Sequence, residues 1–412
     1  MGYDKIMPNL DVDNPAELLA HRLRRQQEPP RTAIIGAGPL GLEAALYALR
    51  LGHQVWLFER DAQIAPDVCA WGHVVMFTPW GMNRSSLGVL MLRETAQKGK
   101  SPKRPLPSKN LFPTGVDFIA NYLLPVSTLL GDSLLMETRV VAMGRSYLFP
   151  EEHADEPEKR RARRFRILTR TPLEERIFTA DYVIDATGVS HTPRWLGAGG
   201  LPALGEMGGS RQIQYQIPDV SGRDRIKFLG KRTLLVGDGT SAAATALALM
   251  DIIDLDQASS LLWVSKSRTE MPLALTENDP LLRRDTLLKK ANLLIKNGHP
   301  RFEYLPVTQV DAVQHSLASG RFQVTLQVNH ETKRHTVDSV VGCVGFKRDA
   351  MTYERVLHPQ EPGLFVIGEK SGSGGDFFLA EGREQVRDAF RLITDQPDLD
   401  LYAESKANLD KL

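Results

Sequence analysis

Six consecutive residues, Gly36-Ala37-Gly38-Pro39-Leu40-Gly41, carry the first chemistry legible in this sequence. A Gly-x-Gly-x-x-Gly turn between a strand and a helix is built to receive a pyrophosphate. The first glycine turns the chain sharply out of the strand, the second lets backbone approach the phosphates, and the third lets helix lie close on strand. The helix N-terminus adds partial positive charge toward the anion. Glycines turn many corners, so the motif needs context. Glu59 supplies it, 18 residues beyond Gly41 and at the end of the next apolar run. A carboxylate there accepts ribose hydroxyls and repels a 2′-phosphate, which favours FAD or NAD over NADP.

A second turn, Gly237-Asp238-Gly239-Thr240-Ser241-Ala242, repeats the pattern about 200 residues later. Alanine in the third place still permits close helix packing. The strand that follows ends without an acid, as Trp263-Val264-Ser265-Lys266-Ser267-Arg268. Lys266 and Arg268 could meet the 2′-phosphate of NADPH, Arg268 as the better fork. The alternative is two solvated basic residues beyond a strand. The pattern favours NADPH over NADH at this second site.

The elements that must hold these turns are the same in both places. RTAIIG (31–36) predicts a short buried strand, the following segment a turn running into a helix, and HQVWLFER (53–60) a second strand. Strand, glycine turn, helix and strand in about thirty residues form the βαβ unit that opens doubly wound folds. KRTLLVG, DGTSAAATALALMDII and SLLWVS repeat it over 231–265. The fold class is therefore α/β, with two Rossmann-like dinucleotide-binding domains. Around them, 114–131 predicts a helix; 164–170, 178–188, 301–314, 321–328, 335–346 and 363–370 predict strands; 381–394 predicts a closing helix. Residues 1–30 form an arm with Asn14 capping a thin helix at Pro15, either packed down or mobile. The charge run 151–165 predicts a solvated loop, with a docking patch as the alternative.

A third group of candidates follows the first βαβ unit. WGHVVMFTPWGMNR supplies Trp71, His73, Phe77, Trp80 and Arg84. His73 could move a proton near neutral pH, and Arg84 could hold an anionic substrate. The aromatic residues could wall a cofactor ring or simply belong to the core. Near the C-terminus, Ser371-Gly-Ser-Gly-Gly-Asp-Phe377-Phe378 offers backbone and two rings to the same region.

The gross composition narrows the function classes. Hydrophobic residues at 42% and charged residues at 25% exclude wholesale disorder in the 412-residue chain. A net charge of +1 gives no reason to expect nucleic acid or a membrane surface as partner. Two cysteines, Cys69 and Cys343, cannot build a disulfide framework or a structural zinc site. No apolar run is long enough for a signal peptide or a spanning helix. The expectation is a cytoplasmic protein with a small-molecule substrate.

The two dinucleotide motifs, the Asp185-Ala186-Thr187-Gly188 segment and the C-terminal Gly368-Glu369 together resemble the two-dinucleotide-domain flavoproteins. These include thioredoxin reductase-like enzymes and flavin-containing monooxygenases. The resemblance covers residues 31–395, and WGHVVMFTPW, LGAGGLPALGE, YQIPDV and VGDGTSAAATA resemble a bacterial branch of FAD-dependent oxidoreductases. It implies an arm at 1–30, an FAD domain formed by 31–195 and 341–412, and an inserted NAD(P)H domain at 196–340. It assigns FAD to Gly36, Gly38, Pro39, Leu40, Gly41, Glu59, Arg60, Trp80, Val140, Ala186, Thr187, Gly188, Gly368, Glu369, Gln385 and Val386. Glu369 takes the place of a customary Asp, and the helix around Gln385-Val386 is expected to aim its N-terminus at the flavin. NADPH falls to Gly237, Gly239, Thr240, Ser241, Ala242, Lys266 and Arg268. A homodimer is in keeping with the resemblance.

Two departures limit the reaction. Disulfide reductases of this family use a cysteine pair, whereas residues 228–340 contain no cysteine and Cys69, ten residues after Glu59, has no second one near it. Dithiol chemistry is excluded; a single-cysteine reaction of peroxide or thiol substrates is not. The monooxygenase signature F-x-G-x-x-x-H-x-x-x-Y/W is also missing, since GGSRQIQYQIPDVSG holds Tyr215 and no histidine. The leading expectation is an NADPH-reduced FAD enzyme that oxidises or oxygenates a small molecule. The alternatives are a Cys69 reductase and a non-catalytic flavin or nicotinamide sensor.

Overall fold

The computed structural model describes residues 10–25, 27–99, 106–268, 273–348, 357, 360–372 and 377–411. In chain order, α1 (Pro15–Arg25) precedes β1 (Arg31–Ile35), α2 (Pro39–Arg50) and β2 (Gln54–Phe58). Helices α3 (Pro66–Ala70), α4 (Trp80–Asn83), α5 (Ser86–Gln97), α6 (Gly115–Phe118) and α7 (Leu124–Ser127) follow, the last two joined by a π-helical turn at Ile119–Leu123. Next come β3 (Leu134–Leu135), β4 (Arg139–Arg145), α8 (Pro157–Ala162), β5 (Phe165–Arg170), β6 (Glu175–Ala180) and β7 (Tyr182–Asp185). The middle of the chain forms α9 (Glu206–Gly209), β8 (Arg232–Val236), α10 (Thr240–Leu255), β9 (Ser260–Val264), α11 (Leu282–Asn297) and β10 (Phe302–Leu305). It continues through β11 (Thr308–Ser316), β12 (Arg321–Val328), β13 (Glu331–Val337) and β14 (Ser339–Gly342) to β15 (Leu364–Val366), α12 (Leu379–Thr394) and α13 (Leu401–Leu409).

Two compact units result. Unit 1 comprises Met1–Cys69, Pro79–Val189 and Arg348–Leu412; unit 2 comprises Ala70–Thr78 and Ser190–Lys347. These bounds differ from the expected 195/196 and 340/341 divisions, and hydrogen bonds give the reason. Arg194 N donates to Gly345 O and Lys347 N to Thr192 O, so both ends of the insertion are tied inside unit 2. Residues 70–78, read from the sequence with the first domain, fall in unit 2, where His73 Nε2 meets Pro218 O at 3.1 Å.

Unit 1 is built on a parallel sheet in the order β15-β7-β1-β2-β3. Helix α2 is buried on every side from Leu40 to Ala48, because it lies between that sheet and α12. A three-stranded antiparallel meander, β4-β5-β6, leads into β7. Unit 2 repeats the plan: a parallel sheet β10-β9-β8-β14, helices α10 and α11 packed together beside it, and a meander β11-β12-β13 leading into β14.

Three segments read as single strands are divided. The 178–188 run breaks at Asp181 and 335–346 at Asp338, each the pivot between a meander and a core strand. Asp181 N donates to Arg31 O and Asp181 Oδ2 accepts from Arg31 N at 2.8 Å. Asp338 makes the same pair of bonds with Arg232. The 301–314 run breaks at Val307, whose φ of +49° no strand accommodates. Helices α5, α11 and α13 form where no helix was predicted.

The charge run 151–165 is also different from its reading. It contains α8, whose Arg160 is 1% exposed and donates to Glu361 Oε2 at 2.6 Å, while Arg145 Nε donates to Glu361 Oε1 at 2.8 Å. Burial alone would raise the Glu361 carboxyl, but Arg160 and Arg145 bring it below its usual range. The outer side of α8 receives the N-terminal arm, through Arg22–Glu158 and Lys159–Asp13 ion pairs and a small cluster of Leu10, Val12 and Ala162. The run therefore docks a segment of its own chain. Among the described residues no helix is long and apolar enough to cross a membrane.

Candidate dinucleotide sites

In unit 1 the first glycine turn leaves β1 at its C-terminal edge. Gly36 has φ +98°, and a Cβ there would stand 2.9 Å from Ala186 O; a Cβ at Gly41 would collide with the Gly36 carbonyl. Gly38 has no atom within 4 Å of where its Cβ would be, which leaves open space beside the N-terminus of α2. Glu59 lies directly beyond β2 and is 4% exposed. Its Oε2 accepts from Ala37 N at 2.8 Å and its Oε1 from Asp61 N at 3.0 Å. Burial pushes this carboxyl above its usual value, against the pull of those two N–H donors. Each oxygen keeps a lone pair that a hydroxyl can use. Arg60 is exposed and pairs with its neighbour Asp61; Val140, on β4, packs partly buried against the core.

The opposite wall comes from β7 and the C-terminal segment. Ala186 N donates to Ile35 O, and Thr187 donates through its N and Oγ1 to Asp185 Oδ1. Here the structure supplies a residue the sequence reading missed. Lys370 is buried and pairs with Asp185 Oδ2 at 3.0 Å, while its neighbour Glu369 is exposed on a short 3₁₀ turn. Alternate exposure of adjacent residues in a turn left no periodic signal for it. Gly368 N donates to Gln385 Oε1 at 2.6 Å, and Val386 is fully buried. The helix α12 begins at Leu379, so Gln385 and Val386 lie at the end of its second turn and the start of its third rather than at its N-terminus. That N-terminus nevertheless approaches the glycine turn, since a Cβ on Gly382 would collide with the Leu40 side chain. Phe377 and Phe378 lead into α12; residues 373–376 of the glycine stretch lie outside the described residues.

The aromatic group separates. Trp80 is 3% exposed and meets Phe118 edge-on, which makes it a core residue of unit 1. Arg84 donates to Pro107 O at 2.9 Å and lines a cavity that none of the glycine-turn residues reach. His73, half-buried in unit 2, spends Nε2 on the Pro218 carbonyl and keeps Nδ1. Cys69 is half-buried on α3, whose start is tied to the first glycine turn by Ala65 N donating to Ala37 O. Burial pushes the Cys343 thiol up to about 11, so it stays protonated at neutral pH.

Unit 2 holds the second turn in the same way. Gly237 has φ +143°, a Cβ there would collide with Cys343 O, and Gly239 faces open space at the start of α10. Trp263 Nε1 donates to Gly237 O at 2.8 Å and fixes the turn. Ser241 is exposed, Thr240 half-buried and Ala242 buried. Beyond β9, Ser265 Oγ and Tyr304 OH lie 2.6 Å apart, and Lys266 and Arg268 are exposed. Tyr215, from the stretch that lacks the monooxygenase signature, donates to Glu206, a buried carboxylate that also accepts from Leu196 N and Ala203 N. This group clamps the segment 196–215.

Comparison with known proteins places this fold. The family described as pyridine nucleotide-disulphide oxidoreductase matches residues 31–70. Thiamine thiazole synthase of Desulfosudis oleivorans is 33% identical over 88 residues, which are 21% of this chain and 26% of that protein, so the chain matches about a quarter of that relative's length. Among solved structures, the bacillithiol disulfide reductase of Bacillus cereus has a TM-score of 0.62 at 15% identity, covering 90% of this chain and 100% of that one. A cadaverine monooxygenase of Erwinia amylovora gives 0.64 at 15%, covering 90% and 95%. Thioredoxin reductase of T. acidophilum gives 0.56 at 16%, covering 89% and 98%. These likenesses are ones of fold: the chain shares the two-unit α/β architecture of these reductases and of the monooxygenase.

Proposed function

We propose that the chain is an FAD-dependent oxidoreductase in which unit 1 holds FAD and unit 2 holds NADPH. The observation that carries this reading is a difference at one register position. Ile35 pairs with Phe58, and Val236 with Val264, so Glu59 and Ser265 are equivalent residues beyond equivalent strands. An acid at the first position suits a ribose with free hydroxyls; a neutral serine followed by exposed Lys266 and Arg268 suits a 2′-phosphate. The first site fits FAD on its own features, because Gly38 leaves a cradle open and two helix N-termini, those of α2 and α12, converge near Leu40. Gly36, Gly38 and Glu59 would hold the adenosine and pyrophosphate side, and the Ala186–Gly188 and Gly368 turns the flavin side. Bound flavin would supply hydride acceptance from the nicotinamide and electron delivery to a substrate or to dioxygen.

The protein's part is binding and orientation, which explains why binding residues are readable and a general base is not. The downstream step is the oxidation or oxygenation of a small molecule, a reading in line with the cadaverine monooxygenase that shares the fold. The lack of a cysteine pair argues against dithiol exchange. A second reading rests on Cys69, whose helix is anchored to the first glycine turn: a single thiol there would reduce peroxide or thiol substrates. Purified protein should carry the visible absorbance of oxidised flavin, bleached anaerobically by NADPH. Protein that stays colourless and takes up no added FAD removes the reading. Cys69→Ser separates the two downstream versions: unchanged turnover eliminates the thiol route.

A further inference from the structure

Unit 1 contains a cavity of about 970 Å³ that the dinucleotide reading leaves unused. It lies between α5, the segment 106–109, the helical stretch 121–128 and α13. No residue of the glycine turn, of the Asp185–Gly188 segment or of the Gly368 turn lines it. Its volume falls in the range of small-molecule sites.

Its inner wall is preformed. Ser85 Oγ accepts from Gly88 N at 2.8 Å, capping α5, and Ser85 N donates to Tyr122 OH at 3.0 Å. Tyr122 in turn donates to the buried Glu43 at 2.7 Å. Ser86 Oγ donates to Tyr402 O at 2.6 Å, fastening α5 to α13. These bonds fix the start of α5 against α13 and against Tyr122.

The lining divides by chemistry. Val89, Leu92, Leu124, Pro125 and Leu409 form an apolar body, and Leu124 remains about half exposed at 49%. Against it stand four cations, Arg84, Arg93, Lys109 and Lys406, and one carboxylate, Asp410. Arg84 is half-buried and spends one donor on Pro107 O, leaving four of its five N–H groups. Burial disfavours its charge, and the nearby charge of Arg93 disfavours it further. Among the described residues, no ion pair neutralises Arg84, Arg93, Lys109 or Lys406. A half-buried guanidinium beside another cation, with no carboxylate ion-paired to either although Asp410 lines the same cavity, favours an anion.

We propose that this cavity is a second ligand site, taking a small organic anion whose carboxylate-like head meets Arg84 and Arg93 and whose apolar body lies along Val89, Leu92 and Leu124. The site stands apart from the flavin and nicotinamide assignments, because its occupancy can be read without turnover. The test is isothermal titration of the full chain, as purified, with butyrate, octanoate and dodecanoate, and with octanol as the neutral counterpart of octanoate. Saturable binding of at least one acid is expected, with octanol weaker than octanoate by about tenfold or more. The charge-reversed double variant R93E/K406E should lose about tenfold in acid affinity, and Leu124→Trp should block the body. Both changes fall on exposed positions, and an unchanged melting temperature of the ligand-free variants separates loss of the site from loss of the fold. Equal affinity for octanol and octanoate, wild-type affinity in R93E/K406E, or no saturable binding across the acid series would each overturn the proposal.

Discussion

The two units are variations on one plan, and the positions at which they diverge are informative because so much else coincides. Arg31 and Arg232 open equivalent core strands, Asp181 and Asp338 close them with matching 2.8 Å bonds, and Ala186 and Cys343 each donate a backbone N–H to the end of the first strand. Gly188 and Gly345 follow with φ of +67° and +77°. Against this background four of the differences bear on buried contacts and charge: Gly41 with Ala242, Asp185 with Gly342, His53 with Ser259, and Glu59 with Ser265. Unit 1 has the tighter helix–strand approach, a buried Asp185–Lys370 pair and an acid, Glu59, directly beyond its second strand. Unit 2 has none of these. Equivalent scaffolds thus carry different electrostatics, and unit 1 depends more on buried charge.

The largest expected effect breaks the comparison at the third position of the turn. Gly41→Ala would drive a methyl into the Gly36 carbonyl, a backbone group, with no flexible side chain to yield. The variant should lose more than about 4 kcal/mol, or fail to fold. Ala242→Gly, at the matching place in unit 2, should cost only about 1 kcal/mol, the propensity penalty of glycine in a helix. Chemical denaturation of both variants checks this; similar losses in the two would mean that the turns are not held differently. Next comes Glu361→Gln, which leaves Arg145 and Arg160 buried without a counter-charge. A loss of about 3–5 kcal/mol is expected. If Glu361→Gln unfolds within about 1 kcal/mol of wild type, unit 1 does not rest on that charge cluster.

Those two sites also show what sequence could and could not disclose. The glycine turns and Glu59 were legible because their geometry is local: one helix and two short strands fix the spacing, and every member acts on a near neighbour. The meander pivots were not, because an aspartate inside an apolar run, Asp181 or Asp338, looks like a strand residue until its partner arginine, 150 or 106 residues away, is known. Glu361 lies 216 residues from Arg145 and 201 from Arg160, and nothing in the composition of the 151–165 run marks one arginine as inward-facing. Lys370 was hidden by proximity to Glu369, the residue that resemblance singled out. For Trp80 the aromatic run left a cofactor wall and core packing both open, because its burial against Phe118 is a matter of tertiary packing.

Acid should separate the units next. His53 precedes β2, is buried, and lies 2.9 Å from Thr32 Oγ1; burial lowers its pKa from the usual value to about 4. A group whose folded pKa is depressed contributes stability above its unfolded pKa, near 6.5, and loses that contribution as pH falls toward about 4. Up to about 3 kcal/mol should disappear across this window. Its counterpart Ser259, bonded to Asp256 and Gly230, does not titrate there. His53→Gln should therefore flatten the acid limb of the stability profile. A variant with the wild-type slope between pH 6.5 and 4 would show that His53 is not the source.

The smallest expected effect addresses the pair on which the proposed division of the two nucleotides rests. Ser265→Glu would write the unit 1 residue into unit 2, at the same distance beyond the same strand. A carboxylate there offers acceptors to ribose hydroxyls and repels a 2′-phosphate, so NADPH affinity should fall while NADH affinity holds or rises. The preference should move by about tenfold, the worth of one partly exposed charge interaction. Arg268→Ala should weaken NADPH in the same sense without strengthening NADH. Flavin reduction rates measured against concentration for both coenzymes give the comparison. Equal losses for NADPH and NADH in Arg268→Ala would remove the 2′-phosphate role. An unchanged preference in Ser265→Glu would mean that the register match between Glu59 and Ser265, though present in the backbone, does not set which dinucleotide each unit receives.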